Sequence, residues 1–203
     1  YYSDEYFGHQ HRSVEDWGAG RRGIFRQVAA LLRAAGITGR DAVLDVGSGY
    51  GYLLRYLASQ GFRCEGVELS ERCVTYHRAH CSIPVQQGVI EDLRGSACYR
   101  SILFADVFEH LPDFQDTLRV AKRLLSSDGF ILIRVPNMVF HLFKFELVKK
   151  LHLPWPYEMF TVPDHLNHFT PCTLRAALHS AGFEVQQETD GFPDLTGDRF
   201  RNG

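Results

Sequence analysis

Val43-Leu44-Asp45-Val46-Gly47-Ser48-Gly49-Tyr50-Gly51-Tyr52 is the stretch on which the fold turns. An apolar strand runs into a glycine turn, and the turn opens a helix. Three alternate glycines let the backbone come close to a ligand and aim amide N–H groups at it. Glu68 ends the next apolar run, at about the separation from which a carboxylate reaches a ribose diol in nucleotide-binding βαβ units. Strand, turn, helix, strand and acid together point to a nucleoside ligand.

Two features decide which nucleoside. A dinucleotide turn wants G-x-G-x-x-G, but here Gly51 comes one place early and Tyr52 fills the sixth position, where close helix packing needs a glycine. Asp45, two residues before the first glycine, repels a pyrophosphate and suits a ligand that carries an ammonium and a sulfonium charge. Both favour S-adenosylmethionine over NAD.

Outward from this turn, strand-like runs alternate with helical patterns, the sequence form of an α/β, Rossmann-like doubly wound, mostly parallel sheet with flanking helices. Strands are expected at 42–46, 62–68, 85–88, 101–107, 130–135 and 183–188. Helices are expected at 22–34, 50–59, 71–80, 114–125 and 171–181. Ser70, Asp113 and Thr170-Pro171 supply helix starts, and Gly61, Gly129 and Gly182 sit where helices should stop. Residues 1–36 are expected to form an N-terminal lid segment, aromatic and His-rich at first, followed by a helix. Residues 37–203 form the core, interrupted by a lid insertion at 137–163.

The composition bounds the partners. A chain of 203 residues that is 45% hydrophobic can bury one continuous core, and a net charge of −2 argues against nucleic acid as partner. Five cysteines without a C-x-x-C pair indicate neither a disulfide framework nor a thiolate zinc site, so a reducing, cytoplasmic setting is expected. No apolar run is long enough to cross a bilayer, and no signal peptide is visible after Tyr1.

VLDVGSGYG (43–51), GVELS (66–70), GVIEDL (88–93), ADVFEHLPD (105–113), LLSSDGFILIRVPN (124–137) and HLNHFTPCTL (165–174) with AGF (181–183) resemble the class I S-adenosylmethionine-dependent methyltransferases. The similar group includes ubiquinone-type O-methyltransferases and many small-molecule enzymes. The resemblance implies that Gly47, Ser48 and Gly49 contact the methionine part of the cofactor and that Asp45 meets its amino end. It further implies that Glu68 holds the ribose hydroxyls, Leu69 lies against adenine, Ile90 and Glu91 edge it, and Ala105 lines the floor near the methyl group. Val89 stands where many relatives carry an acid that bonds the adenine amino group.

The acceptor chemistry is expected just after the fourth strand, since ligands meet the carboxyl ends of strands in open α/β sheets. His110 is the first candidate base for an acceptor hydroxyl, because an imidazole titrates near neutrality. His168 and His165, ahead of the last helix, are the next candidates. A packing or helix-capping role is the alternative for His110, and a plain loop role for at least one of His165 and His168. The D-x-x-E-H spacing of Asp106, Glu109 and His110 is also similar to an E-x-x-E-H run that binds a divalent ion in some relatives, which would make Mg²⁺ or Mn²⁺ a further cofactor.

Phe140, Phe143, Leu147 and Leu151 repeat at helical spacing in the insertion, with Trp155 and Phe160 beyond them. They would either line the site for an apolar or aromatic acceptor or pack the helix onto the domain. Lys144, Lys149 and Lys150 allow a third reading, a membrane-surface helix. The function expected is methyl transfer from S-adenosylmethionine to a small-molecule acceptor, most readily at oxygen. The alternative is a non-catalytic module that binds S-adenosylmethionine or S-adenosylhomocysteine.

Overall fold

The computed structural model describes residues 18, 20–152, 165–189 and 191. The aromatic N-terminal stretch, Trp155 and Phe160 lie outside these residues.

The expected doubly wound sheet is present. Five parallel strands, β1 (Ala42–Val46), β2 (Arg63–Glu68), β3 (Val85–Gln87), β4 (Tyr99–Ala105) and β5 (Leu125–Arg134), stand in the order β3-β2-β1-β4-β5. The chain winds outward from β1 to β3, then crosses back to place β4 on the other side of β1. The crevice of this reversal opens above the carboxyl ends of β1 and β4, where such sheets bind ligands.

Alternation along β1 and β4 divides the core between the two faces. Val43 and Leu103 pack with α1 (Arg22–Ala34) and α2 (Tyr52–Ser59) through Ile24, Phe25, Val28, Leu32, Leu53, Leu54 and Leu57. Leu44, Val46, Ile102 and Phe104 turn the other way, against Leu118, Ala121 and Leu124 of α4 (Phe114–Leu124) and Leu178 of α6 (Pro171–Ser180). Each buried Leu, Ile or Phe contributes about 1.5–3 kcal/mol, so the two-sided burial is what holds the sheet rigid beneath its edge.

Caps form where the sequence places them. Ser70 accepts from the Cys73 amide at the start of α3 (Glu71–His80), Asp113 from the Asp116 amide at α4, and Thr170 from the Thr173 amide at α6, with Pro171 in the first turn.

Three expectations change. Gly129 stops no helix, because α4 passes at Leu125 straight into β5, and Gly129 lies inside that strand. A Cβ there would approach the Tyr99 carbonyl to 3.0 Å. Residues 183–188 take no place in the sheet, although Phe183 and Val185 still pack on the core. Their alternation reports a buried face, which does not require ladder hydrogen bonds. The fourth strand ends at Ala105, because Asp106 takes the left-handed conformation at φ +60°. All five cysteines are free thiols.

Candidate active site

The glycine turn is held from within. The Gly47 and Ser48 amides both reach the Val67 carbonyl, at 2.8 and 3.2 Å, and the Gly51 amide reaches the Ser48 carbonyl at 2.9 Å. The Gly49 amide donates to Glu68 Oε2 at 2.7 Å. The expectation that these N–H groups aim at a ligand is therefore corrected, since four donors of the loop are spent on the protein. A phosphate cradle needs such donors. A cationic ligand needs carboxylates and carbonyls, and these are what the turn presents.

Gly49 (φ +53°) has nothing within 4 Å of where a Cβ would stand, so its α-carbon faces open space at the crevice. Gly51 (φ +77°) is crowded instead, because a Cβ would run into the imidazole of His77. His77 is fully buried and its Nε2 is bonded to the Ile83 carbonyl at 2.9 Å, so the ring cannot yield easily. Gly51→Ala should combine left-handed strain with overpacking, a loss of roughly 2–5 kcal/mol. Calorimetric melting should show Tm lower by roughly 5–15 °C. A Tm within about 2 °C of wild type would contradict this packing.

Two carboxylates converge on the crevice. Glu68 is buried, with Oε1 accepting from the Ser70 amide at 2.8 Å and Oε2 from Gly49. Burial raises its pKa, and the amides of Ser70, Gly49 and Leu69 work in the opposite direction. Asp45, at the end of β1, is buried more deeply. Desolvation, with the Glu68 charge adding to it, pushes its carboxyl up to about 8. Two carboxyl groups in a dry crevice, one of them kept protonated by burial and by the other's charge, invite a cation.

The remaining cofactor candidates divide. Leu69 is half exposed and free to bed a flat ring, and Ala105 is partly exposed at the end of β4. Ser48 offers a ligand its backbone only, since its hydroxyl is turned toward Gly66 of β2, where a Cβ would meet Ser48 Oγ at 2.7 Å. The Ile90 side chain is in the core, so only its backbone can edge a base. The Glu91 carboxylate accepts from the Thr117 hydroxyl at 2.5 Å and ties this turn to α4.

Across the crevice, three candidate histidines come together. The loop 165–169 is bonded onto the 107–111 segment: the Leu166 and Asn167 amides donate to the Glu109 carbonyl at 3.0 and 2.9 Å, and Asn167 Nδ2 donates to the Leu111 carbonyl at 2.7 Å. Phe169 seats beside Phe108 and Phe114, with ring centroids 5.4 and 5.5 Å away. The His110 and His165 rings then lie 4.9 Å apart, and those of His165 and His168 6.2 Å.

Glu109 belongs to this cluster. It is buried, and His110 Nε2 lies 3.8 Å from its Oε1. Desolvation raises its carboxyl to about 7, against the pull of its own amide and of Arg21. Asp106 does not belong, which corrects the D-x-x-E-H reading. Its carboxylate is paired with Arg134 at the end of β5 and lies 3.3 Å from Arg21 Nη1. The three potential ligands brought within 4.8 Å of one another are Glu109, His110 and His165.

Asn167, Arg21 and Arg134 were not singled out by sequence. Arg134 alone carries a signal, a charge ending the apolar run Phe130-Ile131-Leu132-Ile133.

Comparison with known proteins places this geometry. A family model described as a methyltransferase domain matches residues 19–188. The chain is 29% identical to a ubiquinone biosynthesis O-methyltransferase of Haemophilus ducreyi over 52% of this chain and 49% of that one. It is 25% identical to the C-methyltransferase NovU of Streptomyces niveus over 90% of this chain and 42% of the other. The chain thus spans about half the length of these two curated relatives. Among solved structures it resembles magnesium protoporphyrin IX methyltransferase (ChlM) of Synechocystis with bound SAH, at a TM-score of 0.66 and 19% identity, covering 94% of this chain and 87% of that one. With 170 of 203 residues inside the family match and the glycine turn at the switch of a parallel sheet, the chain belongs to the methyltransferase domain family, on the class I S-adenosylmethionine-dependent fold.

Proposed function

We propose that the chain transfers a methyl group from S-adenosylmethionine to a small-molecule acceptor, with an oxygen as the atom methylated. The observation that carries this reading is the pairing of two walls at one sheet edge: Asp45 and Glu68 on one side, and Glu109 with His110, His165 and His168 on the other. The first wall suits a cationic nucleoside and the second can accept a proton.

When bound, the cofactor supplies an electrophilic methyl on a sulfonium, and displacement by the acceptor oxygen leaves the sulfur as a neutral thioether. Asp45 would hold the ammonium end and Glu68 the ribose diol, so that the protein positions the cofactor before transfer. One histidine of the cluster takes the acceptor proton, and the buried Glu109 beside it steadies the imidazole. The free thiols fit a reducing, cytoplasmic compartment.

A second reading has one specific support. A carboxylate and two imidazoles within 4.8 Å form a donor set better matched to Mn²⁺ than to Mg²⁺, which prefers an oxygen shell. In that case Glu109, His110 and His165 would hold the ion and could not serve as bases.

Incubation with methyl-labelled cofactor and a panel of phenols, carboxylates and amines, read by mass shift, tests the proposal. One added methyl on an oxygen acceptor is expected, with turnover unchanged by exhaustive chelation. Methylation confined to nitrogen or carbon would overturn the oxygen assignment, and binding of S-adenosylhomocysteine without turnover of any acceptor would favour the non-catalytic alternative. Turnover lost in chelator and restored by Mn²⁺ would favour the metal reading.

A further inference from the structure

The segment that carries Glu109 and His110 begins at a turn that is held twice. The ladder between β4 and β5 closes with the bond from the Asp106 amide to the Arg134 carbonyl at 3.0 Å, and the chain then turns through a left-handed φ of +60° at Asp106. Glycine makes such a turn without a Cβ penalty, and Asp and Asn are the residues with a side chain that tolerate it best. The Asp106 side chain adds a second hold. It is ion-paired with Arg134 and lies 3.3 Å from Arg21 Nη1, and the side chains of Asp106, Arg134 and Arg21 are only 12%, 20% and 16% exposed. Replacing a mostly buried ionic set by well-packed apolar side chains is often neutral or stabilising, so holding the fold together does not account for it. What such a set supplies is one fixed geometry.

The surroundings of the turn show what that geometry serves. Val107, the next residue, stands against the first glycine of the cofactor turn, where a Cβ on Gly47 would meet Val107 Cγ2 at 2.5 Å. Phe108 then enters the core, fully buried, with the Phe104 and Phe114 rings each 5.6 Å away. The 3₁₀ turn Phe108–His110 is closed by the His110 amide on the Val107 carbonyl at 3.0 Å, and it brings Glu109 and His110 together with His165. On its other side Asp106 follows Ala105, the candidate floor of the crevice. Asp106 is thus the joint between the strand under the cofactor and the turn that carries the histidine wall, while its own carboxylate is engaged by the two arginines.

We infer, on the reading of Glu109, His110 and His165 as the acceptor wall, that Asp106 is a positioning residue of the transfer reaction: locked by Arg134 and Arg21, it sets the turn that brings Glu109 and His110 to the acceptor, and it touches neither cofactor nor acceptor itself.

The test is amide hydrogen exchange followed residue by residue, which needs no acceptor, and then turnover. Asp106→Asn keeps a side chain that tolerates the left-handed turn and removes the charge. In this variant the amides of His110, Leu166 and Asn167, bonded to the Val107 and Glu109 carbonyls, should exchange faster on the order of tenfold or more. Those of Gly51 and Arg55, bonded within the cofactor turn, should keep wild-type rates, and S-adenosylhomocysteine affinity should stay within a few-fold. Arg134→Lys keeps the charge and loses the guanidinium fork, so it should move the same amides by less, and it serves where Asp106→Asn does not fold. With a confirmed acceptor, kcat per S-adenosylhomocysteine-binding site should fall roughly 10²-fold in Asp106→Asn, the cost of about 1 Å of misplacement. Adding Asp106→Asn to the variant of whichever histidine is the base should cost little more, because the one acts through the other. Acceleration that is equal at the cofactor turn and at the histidine wall would make Asp106 a residue of general stability, and unchanged exchange at the wall in both variants would detach it from the site. Either result overturns the inference. Full turnover in every histidine variant would reject the base while leaving the exchange rates to decide Asp106.

Discussion

Replacing the candidate base by Ala or Gln is expected to lower kcat by about 10²–10⁴ while cofactor affinity stays within a few-fold of wild type. The separation of effects follows from the site's construction. Asp45 and Glu68 are positioned by β1, β2 and the glycine turn, whereas His110, His165 and His168 are positioned by the 107–111 segment and the loop bonded onto it. Among the three, His110 is the first choice. It is buried beside Glu109, whose carboxyl at 3.8 Å can stabilise the imidazolium formed when the acceptor proton arrives. Single-turnover kinetics with a confirmed acceptor at saturation, run on His110→Gln, His168→Gln and His165→Gln, would separate them. Near-wild-type turnover in all three would reject a histidine base and leave transfer to alignment of an already acidic acceptor.

Titration of S-adenosylhomocysteine into Glu68→Ala should show affinity reduced on the order of 10²-fold or more, because two charge-assisted bonds to a ribose diol contribute roughly 1.5–3 kcal/mol each. A second loss adds to this. The Gly49 and Ser70 amides that now donate to Glu68 would be left without their acceptor. Glu68→Gln keeps only one acceptor oxygen and should fall between the two. Binding within threefold of wild type in Glu68→Ala would remove this residue from the cofactor site.

The same crevice makes binding pH-dependent through Asp45. Its carboxyl, ordinarily near 3.8, is pushed up to about 8 in the folded chain, so between these values the folded state holds a proton that the unfolded chain has released. Asp45 therefore contributes a stability to the ligand-free protein that is fully present below about pH 4 and is lost as pH rises toward 8. An ammonium placed beside Asp45 favours the ionised form, so cofactor affinity should increase with pH over the same range, with proton release visible in buffers of different ionisation enthalpy. Asp45→Asn should bind weakly and without this slope.

How much of this was legible in the sequence differs from element to element. Helices α1 and α3 begin and end where expected, because an apolar stripe or a capping serine is a local signal that reports on a local structure. The end of β4 is not local. The apolar run continues to Val107, but Asp106 breaks the strand at a left-handed φ, with partners contributed by Arg21 and Arg134 from distant parts of the chain. The same contacts divide the D-x-x-E-H spacing into an ion-paired Asp106 and a Glu109 joined by His165. Helix α5 (Met138–Lys150) shows a further limit. Periodicity identifies the stripe of Phe140, Phe143, Leu147 and Leu151, expected to face the domain or the acceptor and left exposed by the fold, but it carries no information on which side of the helix the domain stands.

The bonds from Leu166 and Asn167 to the Glu109 carbonyl, and from the Asn167 side chain to Leu111, have a consequence for how the acceptor edge opens. Two segments more than fifty residues apart share their backbone hydrogen bonds, so neither can detach without orphaning donors or acceptors on the other. Phe169 would have to leave its seat between Phe108 and Phe114 in the same event. The edge therefore breathes as one cooperative unit. The free energy of that concerted opening, more than the rotamer freedom of any single histidine, governs how often water reaches the buried Glu109 and His110.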